Sequence, residues 1–325
     1  MTDHSDKQTV PGRSCPLSYR TRPQALAGSP GLEADTLYII GGLYGNAHAL
    51  DATEALATTE RDHGLPAPRL VFNGDFNWFN AEPESFGEIN RRVSKYTCLQ
   101  GNVEAELASP DATAGCGCGY PPWVEEGMVD RSNRIMESLQ HVAAAYDDVR
   151  DALCSLPRQL CARVGKHRIG IIHGDPESLA GWGLAVEHMP PPGQVTPTLE
   201  TWFRQAGVDI FAATHTCLPF MQDFVVDGSA RLVLNNGAAG MPNFHGTATG
   251  ILTRISRWPA PSGRLYGTRL DELFIDAIGF EATSPAWLAW FEQRWPPGSP
   301  AHVSYRARLD GQLDYTREQA LRLAS

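Results

Sequence analysis

Short runs of aliphatic and β-branched residues recur along the chain, at 37–40, 70–73, 96–99, 169–173, 209–214, 232–235 and 251–255, and several end directly in Gly, Asn, Asp or His. Runs of this length bounded by turn formers predict strands. Between them the apolar positions change to three- and four-residue steps, which predict helices. Leu50, Thr53, Leu56 and Ala57 follow Asn46, a residue suited to capping a helix start, and Phe86, Ile89 and Val93 form a second set. The longest set, Ile135, Leu139, Val142, Tyr146, Val149 and Leu153, predicts a helix with one apolar face. Strands alternating with helices predict an α/β fold whose binding residues cluster where strands end.

The flanks read differently. Residues 1–34 carry Pro11, Gly12, Pro16, Pro23, Gly28, Pro30 and Gly31 without sustained periodicity and predict an irregular arm over the core. A main domain is expected over 35–282. A C-terminal tail over 283–325 is expected to pack on it, with a Trp-rich helix around Trp287, Trp290 and Phe291 and a last helix over 316–323. Segments 112–123, rich in Gly, Cys and Pro, and 189–197, with three consecutive prolines, predict ordered loops. No internal repeat is visible.

With 325 residues, 42% of them hydrophobic, the chain can bury a sizeable core without disulfides or oligomerisation. A formal net charge of −10 argues against nucleic-acid and anionic-membrane partners, which need clustered Lys and Arg. A phosphate-ester substrate would therefore need a metal to supply positive charge. No stretch approaches the roughly 20 apolar residues of a membrane span, and residues 1–29 lack a signal-peptide core, so a cytoplasmic protein is expected. The seven cysteines suit buried apolar residues, ligands or reactive thiols better than a disulfide framework. Cys116-Gly-Cys118 is the local exception. It reads as a tight loop with buried thiols rather than half of a zinc site, since no second pair stands at ligand spacing.

Five strand-end segments carry the candidate chemistry: Gly41-Gly-Leu-Tyr-Gly-Asn46, Gly74-Asp75, Gly101-Asn-Val-Glu104, His173-Gly-Asp175 and Thr214-His-Thr-Cys-Leu-Pro219. A single His or Asp at a strand end is more often structural than a ligand. Their order and spacing give them weight together.

In that order they resemble the signature of the calcineurin-like metallophosphoesterases: Asp-x-His-Gly-Asn, Gly-Asp, Gly-Asn-x-Glu/Asp, His, then Gly-His-Thr-His-x-Pro. Asn236-Gly-Ala-Ala-Gly-Met-Pro242 resembles the turn that closes the series in the family's bacterial branch. The resemblance runs from Leu37 to about Ile255. It implies a four-layer α-β-β-α sandwich with two mixed sheets and the site at one edge. It also implies that one metal of the family's usual pair is held by Asp75, Asn102, His173 and His215, a set suited to Zn, Mn or Fe. The other metal's positions read Gly42, Tyr44, Asp75 and Cys217, and only the shared carboxylate survives. Where phosphatases of the family place a general-acid His, this chain has Val103.

The expected function is thus a hydrolase of a phosphoester or related small molecule, acting through a hydroxide on one divalent transition metal. Tyr44, with His48 one helical turn further on, Cys217, and His245 just past Pro242 are the candidate catalytic residues. Two other readings fit the same residues. One is a family member that binds metal or ligand without hydrolysis. The other is a changed chemistry in which Tyr44 and Cys217 are new catalytic or metal-binding groups.

Overall fold

The structure, a computed structural model, describes residues 10–28 and 31–324; residues 1–9 and 29–30 of the expected arm and residue 325 of the tail lie outside them. The strands of the described residues form two mixed sheets. One runs, edge to edge, Arg264–Leu270, Leu273–Glu281, Thr249–Ser256, Thr36–Ile40, Arg69–Asn73 and Thr97–Leu99. Its last three strands are mutually parallel. The other runs Leu32–Glu33, Gln159–Val164, His167–Ile172, Ile210–Ala213, Ser229–Asn235, Phe220–Val226 and Leu321–Arg322. At its centre His167–Ile172, Ile210–Ala213 and Ser229–Asn235 are also parallel. Each sheet therefore contributes one set of three parallel strands.

Alternation along the strands sorts side chains into layers. Leu37, Ile39, Val71, Ile169, Ile171 and Ile255 meet between the sheets. Tyr38, Ile40 and Phe72 point the other way, onto Leu50, Phe86 and Leu139 of the helices outside the first sheet. Phe211 and Val233 do the same for the second sheet, against Trp202 and Phe203 of the helix Pro197–Ala206. The result is an α-β-β-α sandwich. No helix of the described residues is long and apolar enough to cross a membrane.

Local signals set the helix starts. Asn46 caps Ala47–Asp62, its side chain accepting from the Ala49 N–H at 3.0 Å. Pro83 opens Pro83–Val93 at a position where a missing N–H costs nothing. Two helix expectations are corrected. The stretch 135–153 is two helices, Glu126–Ala143 and Asp147–Cys154. They part at Tyr146, which leaves helical geometry so that its ring packs on Phe86 and its hydroxyl donates to Pro83 O at 2.7 Å. The last helix covers only Arg317–Ala320, because Leu321–Arg322 pairs with Phe220–Val226 as an edge strand.

The helix layer over the first sheet contains a fully buried ion pair. Arg254 grips Glu60 through Nε (2.5 Å) and Nη2 (3.1 Å), Tyr38 donates to the same carboxylate at 2.8 Å, and Arg254 Nη1 donates to Trp258 O at 2.7 Å. Removing one member strands a buried charge, which costs about 3–5 kcal/mol, whereas replacing both with apolar groups costs far less. Chemical denaturation should accordingly show Arg254→Met less stable by that amount. The double variant Arg254→Met/Glu60→Leu should recover most of the loss. Equal instability of the two variants would mean that the pair matters through packing rather than charge.

Candidate metal centre

The two parallel sets point their carboxyl ends at the same edge of the sandwich, where open α/β sheets place ligand sites. Asp75 follows the strand Arg69–Asn73, and Asn102 opens the helix Asn102–Ala108 just past Thr97–Leu99. His173 follows His167–Ile172, and His215 follows Ile210–Ala213. Two ligand candidates thus come from each sheet.

Asn73 joins the sheets at this edge. Its buried side-chain amide donates to Ile172 O and Thr214 Oγ1 of the opposite sheet, both at 2.8 Å. Its backbone carbonyl accepts from His173 Nδ1 at 2.8 Å. A carbonyl can only accept, so Nδ1 carries the proton and Nε2 presents its lone pair. His215 is set in the same manner from its other side, Nε2 donating to Cys118 O at 2.9 Å and leaving Nδ1 free. Asn102 donates its amide to Cys116 O at 3.0 Å, which turns Oδ1 inward. Such outer partners fix the tautomer and aim of metal ligands.

The inward atoms converge. His173 Nε2 lies 3.1 Å from Asn102 Oδ1, 3.3 Å from Asp75 Oδ1 and 3.3 Å from His215 Nδ1. Donors about 2.0–2.1 Å from one tetrahedral ion stand roughly 3.3–3.4 Å apart. These spacings therefore suit a shared coordination sphere. All four atoms are acceptors, so only a cation or an added proton can reconcile them. The donor set, two imidazoles with one carboxylate and one amide oxygen, fits a divalent transition metal. Among the described residues the close cluster of His, Cys, Asp and Glu ligand atoms at this edge is Asp75, His173 and His215, and it does not extend to Cys217.

The electrostatics agree. Burial alone would raise the Asp75 carboxyl, but His173, His215 and the Val103 N–H hold it below its ordinary range. Burial likewise opposes charge on His173, yet Asp75 raises it, while burial and His173 push His215 down to about 4. Glu104, fully buried, braces the loop by accepting from the N–H of Asp75 (2.6 Å), Asn77 (3.2 Å) and Gly101 (3.2 Å). Gly74 is required by both space and backbone. At φ +78°, a Cβ would lie 2.6 Å from Gly101 Cα and from His173 Nδ1.

The centre opens into a cavity of about 300 Å³ lined by Asp75, Asn102, His215, Tyr44, Cys217 and, from the tail, Arg308. Tyr44, Asp75 and Cys217 adopt left-handed backbone, with φ of 58°, 55° and 58°. For residues other than glycine this costs roughly 1–3 kcal/mol each, and it persists where surrounding structure enforces it. Tyr44 Oη and Cys217 Sγ are 2.6 Å apart, and burial pushes both groups up, so both stay protonated at neutral pH. The Tyr44 ring fills the space over Gly42, where any Cβ would strike it.

His48 and His245 stand outside the cavity lining. His48 lies in the first turn of Ala47–Asp62 with Nε2 unpartnered, and His245 is exposed with Nδ1 2.8 Å from Leu313 O. Cys116 and Cys118 are paired with each other, which leaves Cys217 as the free thiol in the lining. The role of that loop is different from a thiol site: its two cysteine carbonyls orient Asn102 and His215. Also unforeseen are Tyr120, Trp182, Tyr305 and Arg308, which line the cavity from loops and the tail. The N-terminal segment packs on the helix that carries Asn102, Tyr19 Oη donating to Glu106 Oε1 at 2.6 Å and lying 3.5 Å from Asn102 O.

The fold is similar to that of a hypothetical protein, PH1004, from Pyrococcus horikoshii OT3, with TM-score 0.55 and 16% identity over 86% of this chain and 99% of that one. Fainter likenesses, at TM-scores 0.48 and 0.32, are to a metallophosphoesterase from Sphaerobacter thermophilus and a novel archaeal phosphodiesterase. The first is 17% identical, covering 86% of this chain and 100% of that one; the second is 12% identical, covering 75% and 99%. No protein-family model matches the chain, and no curated protein matches it in sequence.

Asn73→Ala should remove the side-chain donor from Ile172 O and leave Thr214 Oγ1 with the Asn236 amide alone, at 3.0 Å, a loss of about 1–3 kcal/mol. Because the same residue joins the sheets that carry the ligands, its divalent-metal affinity should fall as well. Denaturation together with metal titration checks both. Weaker folding with unchanged metal affinity would show that the inter-sheet bridge does not position the ligands.

Proposed function

We propose that this chain is a metallophosphoesterase-like hydrolase holding one divalent transition ion, Zn, Mn or Fe, and cleaving a small phosphoester. The observation that carries this reading is the approach of Asp75 Oδ1, Asn102 Oδ1 and His215 Nδ1 to His173 Nε2 at 3.1–3.3 Å, with His173, His215 and Asn102 each aimed by a backbone carbonyl. These are the positions at which the motif series resembles the family's ligands, and the turn at Asn236–Pro242 supports a place in its bacterial branch. When bound, such an ion polarises a phosphoryl oxygen and lowers the pKa of a water molecule toward ~7.

The chain's own residues define the rest. Asp75, held ionised, orients the centre and reduces its net charge. Tyr44 and Cys217, both protonated, present neutral hydrogen-bonding groups beside it rather than phenolate or thiolate ligands. The ring of Tyr44 over Gly42 occupies the place in which the family pattern would put a second cation's ligands, which supports a single-ion site. Val103 lines the cavity where that pattern has a general-acid His, so the chain supplies no imidazole proton to a leaving group there. A leaving group of low proton affinity needs no imidazole acid at that position.

Hydrolysis of a panel of phosphomonoesters and phosphodiesters with added Mn or Zn tests the proposal. Turnover should appear with metal, vanish with chelator, return on readdition and drop by about 10³-fold or more in His173→Ala, as expected when a group needed for transition-state charge stabilisation is removed. Metal binding without turnover on either ester class would instead make the chain a binding member without hydrolysis.

A further inference from the structure

The cavity is lined by two unlike sets of residues, and the second set says what the substrate must carry. The metal-ligand candidates share the lining with Trp78, Tyr120, Trp182 and Tyr305, and the Trp182 ring packs edge-on against His215 at 5.6 Å. Their polar atoms are largely committed to the protein: Tyr120 Oη pairs with Ser132 Oγ at 3.0 Å, and Trp182 Nε1 donates to Cys118 O at 3.0 Å. What these residues present inward is ring surface. Such a wall favours a flat apolar group and rejects one rich in hydroxyls, whose hydrogen bonds would go unmade. A volume of about 300 Å³ is at the small end for ligand sites, which suits a single ring beside a phosphoryl group.

One side chain of the wall is charged. Arg308, near the end of the helix Pro300–Leu309, is the one Lys or Arg lining the cavity among the described residues. Its Nε donates to Pro242 O at 2.9 Å and its Nη2 to Cys217 O at 3.3 Å. The first contact is to the Asn236–Pro242 turn and the second to the His215–Cys217 loop, so two site loops fix the guanidinium. No carboxylate among the described residues lies within ion-pair distance, and Nη1 has no protein acceptor there. The chain has 37 acidic and 27 Lys or Arg residues, yet this arginine faces the cavity with no acidic partner among the described residues.

We propose that Arg308 is the fixed cation that binds the phosphoryl oxygens in place of a second metal, and that this site takes a phosphoester of an aromatic alcohol. The inference rests on the single-ion hydrolase reading above. Three independent features agree: the space over Gly42 is closed by Tyr44, the wall is made of rings, and Val103 offers no proton to a leaving group. A phenolate, whose conjugate acid has a pKa of about 10, departs without the acid an alkoxide needs. The planar fork of arginine suits two phosphoryl oxygens.

The test uses non-hydrolysable phenylphosphonate and methylphosphonate, titrated by calorimetry into Mn-loaded protein, with metal content measured on every sample. Wild type should bind the phenyl compound at least about tenfold more tightly than the methyl one, the difference expected for burying one ring. Arg308→Met should weaken both by about tenfold or more at unchanged metal content, and Arg308→Lys should recover part of the loss. Tyr305→Leu should reduce the phenyl preference while leaving methylphosphonate binding nearly unchanged. Equal affinity for the two phosphonates, or Arg308 variants that bind as wild type does, overturns the inference even where turnover persists. Arg308-dependent phosphonate binding with a phenyl preference, in a protein that hydrolyses no ester, would uphold the ligand class while removing the hydrolase reading.

Discussion

Asn73 carries the constraint on which the site depends. A candidate metal centre assembled from two sheets needs those sheets fixed to within a fraction of an ångström, and packed aliphatic layers alone permit sliding. The Asn73 amide crosses from one sheet to Ile172 and Thr214 of the other, and its own carbonyl holds the His173 ring. One residue thus sets both the spacing of the sheets and the tautomer of a ligand. Glu104 adds a second brace by collecting the N–H groups of the Asp75 loop. Burial and the charge of Asp75 raise the Glu104 carboxyl to about 7. With these braces in place the left-handed backbone at Tyr44, Asp75 and Cys217 can be maintained.

The Gly42, Tyr44 and Cys217 positions work as a set. The glycine leaves room for the phenol ring, and the ring delivers its hydroxyl to the thiol. Burial keeps both protonated. The space over Gly42 is thus filled by a neutral, close-packed pair. The electrostatic consequence falls on the tail: the positive charge beside the centre belongs to Arg308, held by carbonyls of two loops. The tail is therefore part of the cavity as well as a cover for Phe79, which packs on Phe291 and Tyr305.

Much of this was legible in the sequence, for a physical reason. Strands buried on both faces read as unbroken apolar runs, so 37–40, 70–73 and 209–214 stood out. The strands Arg264–Leu270 and Phe220–Val226 mix exposed and buried positions and were not visible in the same way. The ligand candidates stood at strand ends in a fixed order, and the structure brings all four together. The groups that aim them were illegible because they are backbone carbonyls, of Asn73, Cys116 and Cys118, and a carbonyl has no letter in a sequence. Tyr305 and Arg308 were hidden by distance along the chain: nothing in a ten-residue helix near the end announces that two of its side chains line a cavity begun at Tyr44.

The account stands on a single four-ligand centre, and the metal content of the purified protein tests it most directly. Elemental analysis of protein prepared without chelator should give about one transition-metal ion per chain, lost in His173→Ala without loss of fold, as expected when a ligand is removed from a one-ion site. Two ions per chain would mean that Tyr44 and Cys217 rebuild a second site. No ion, or one that survives His173→Ala, would mean that the four converging acceptors are not a metal centre.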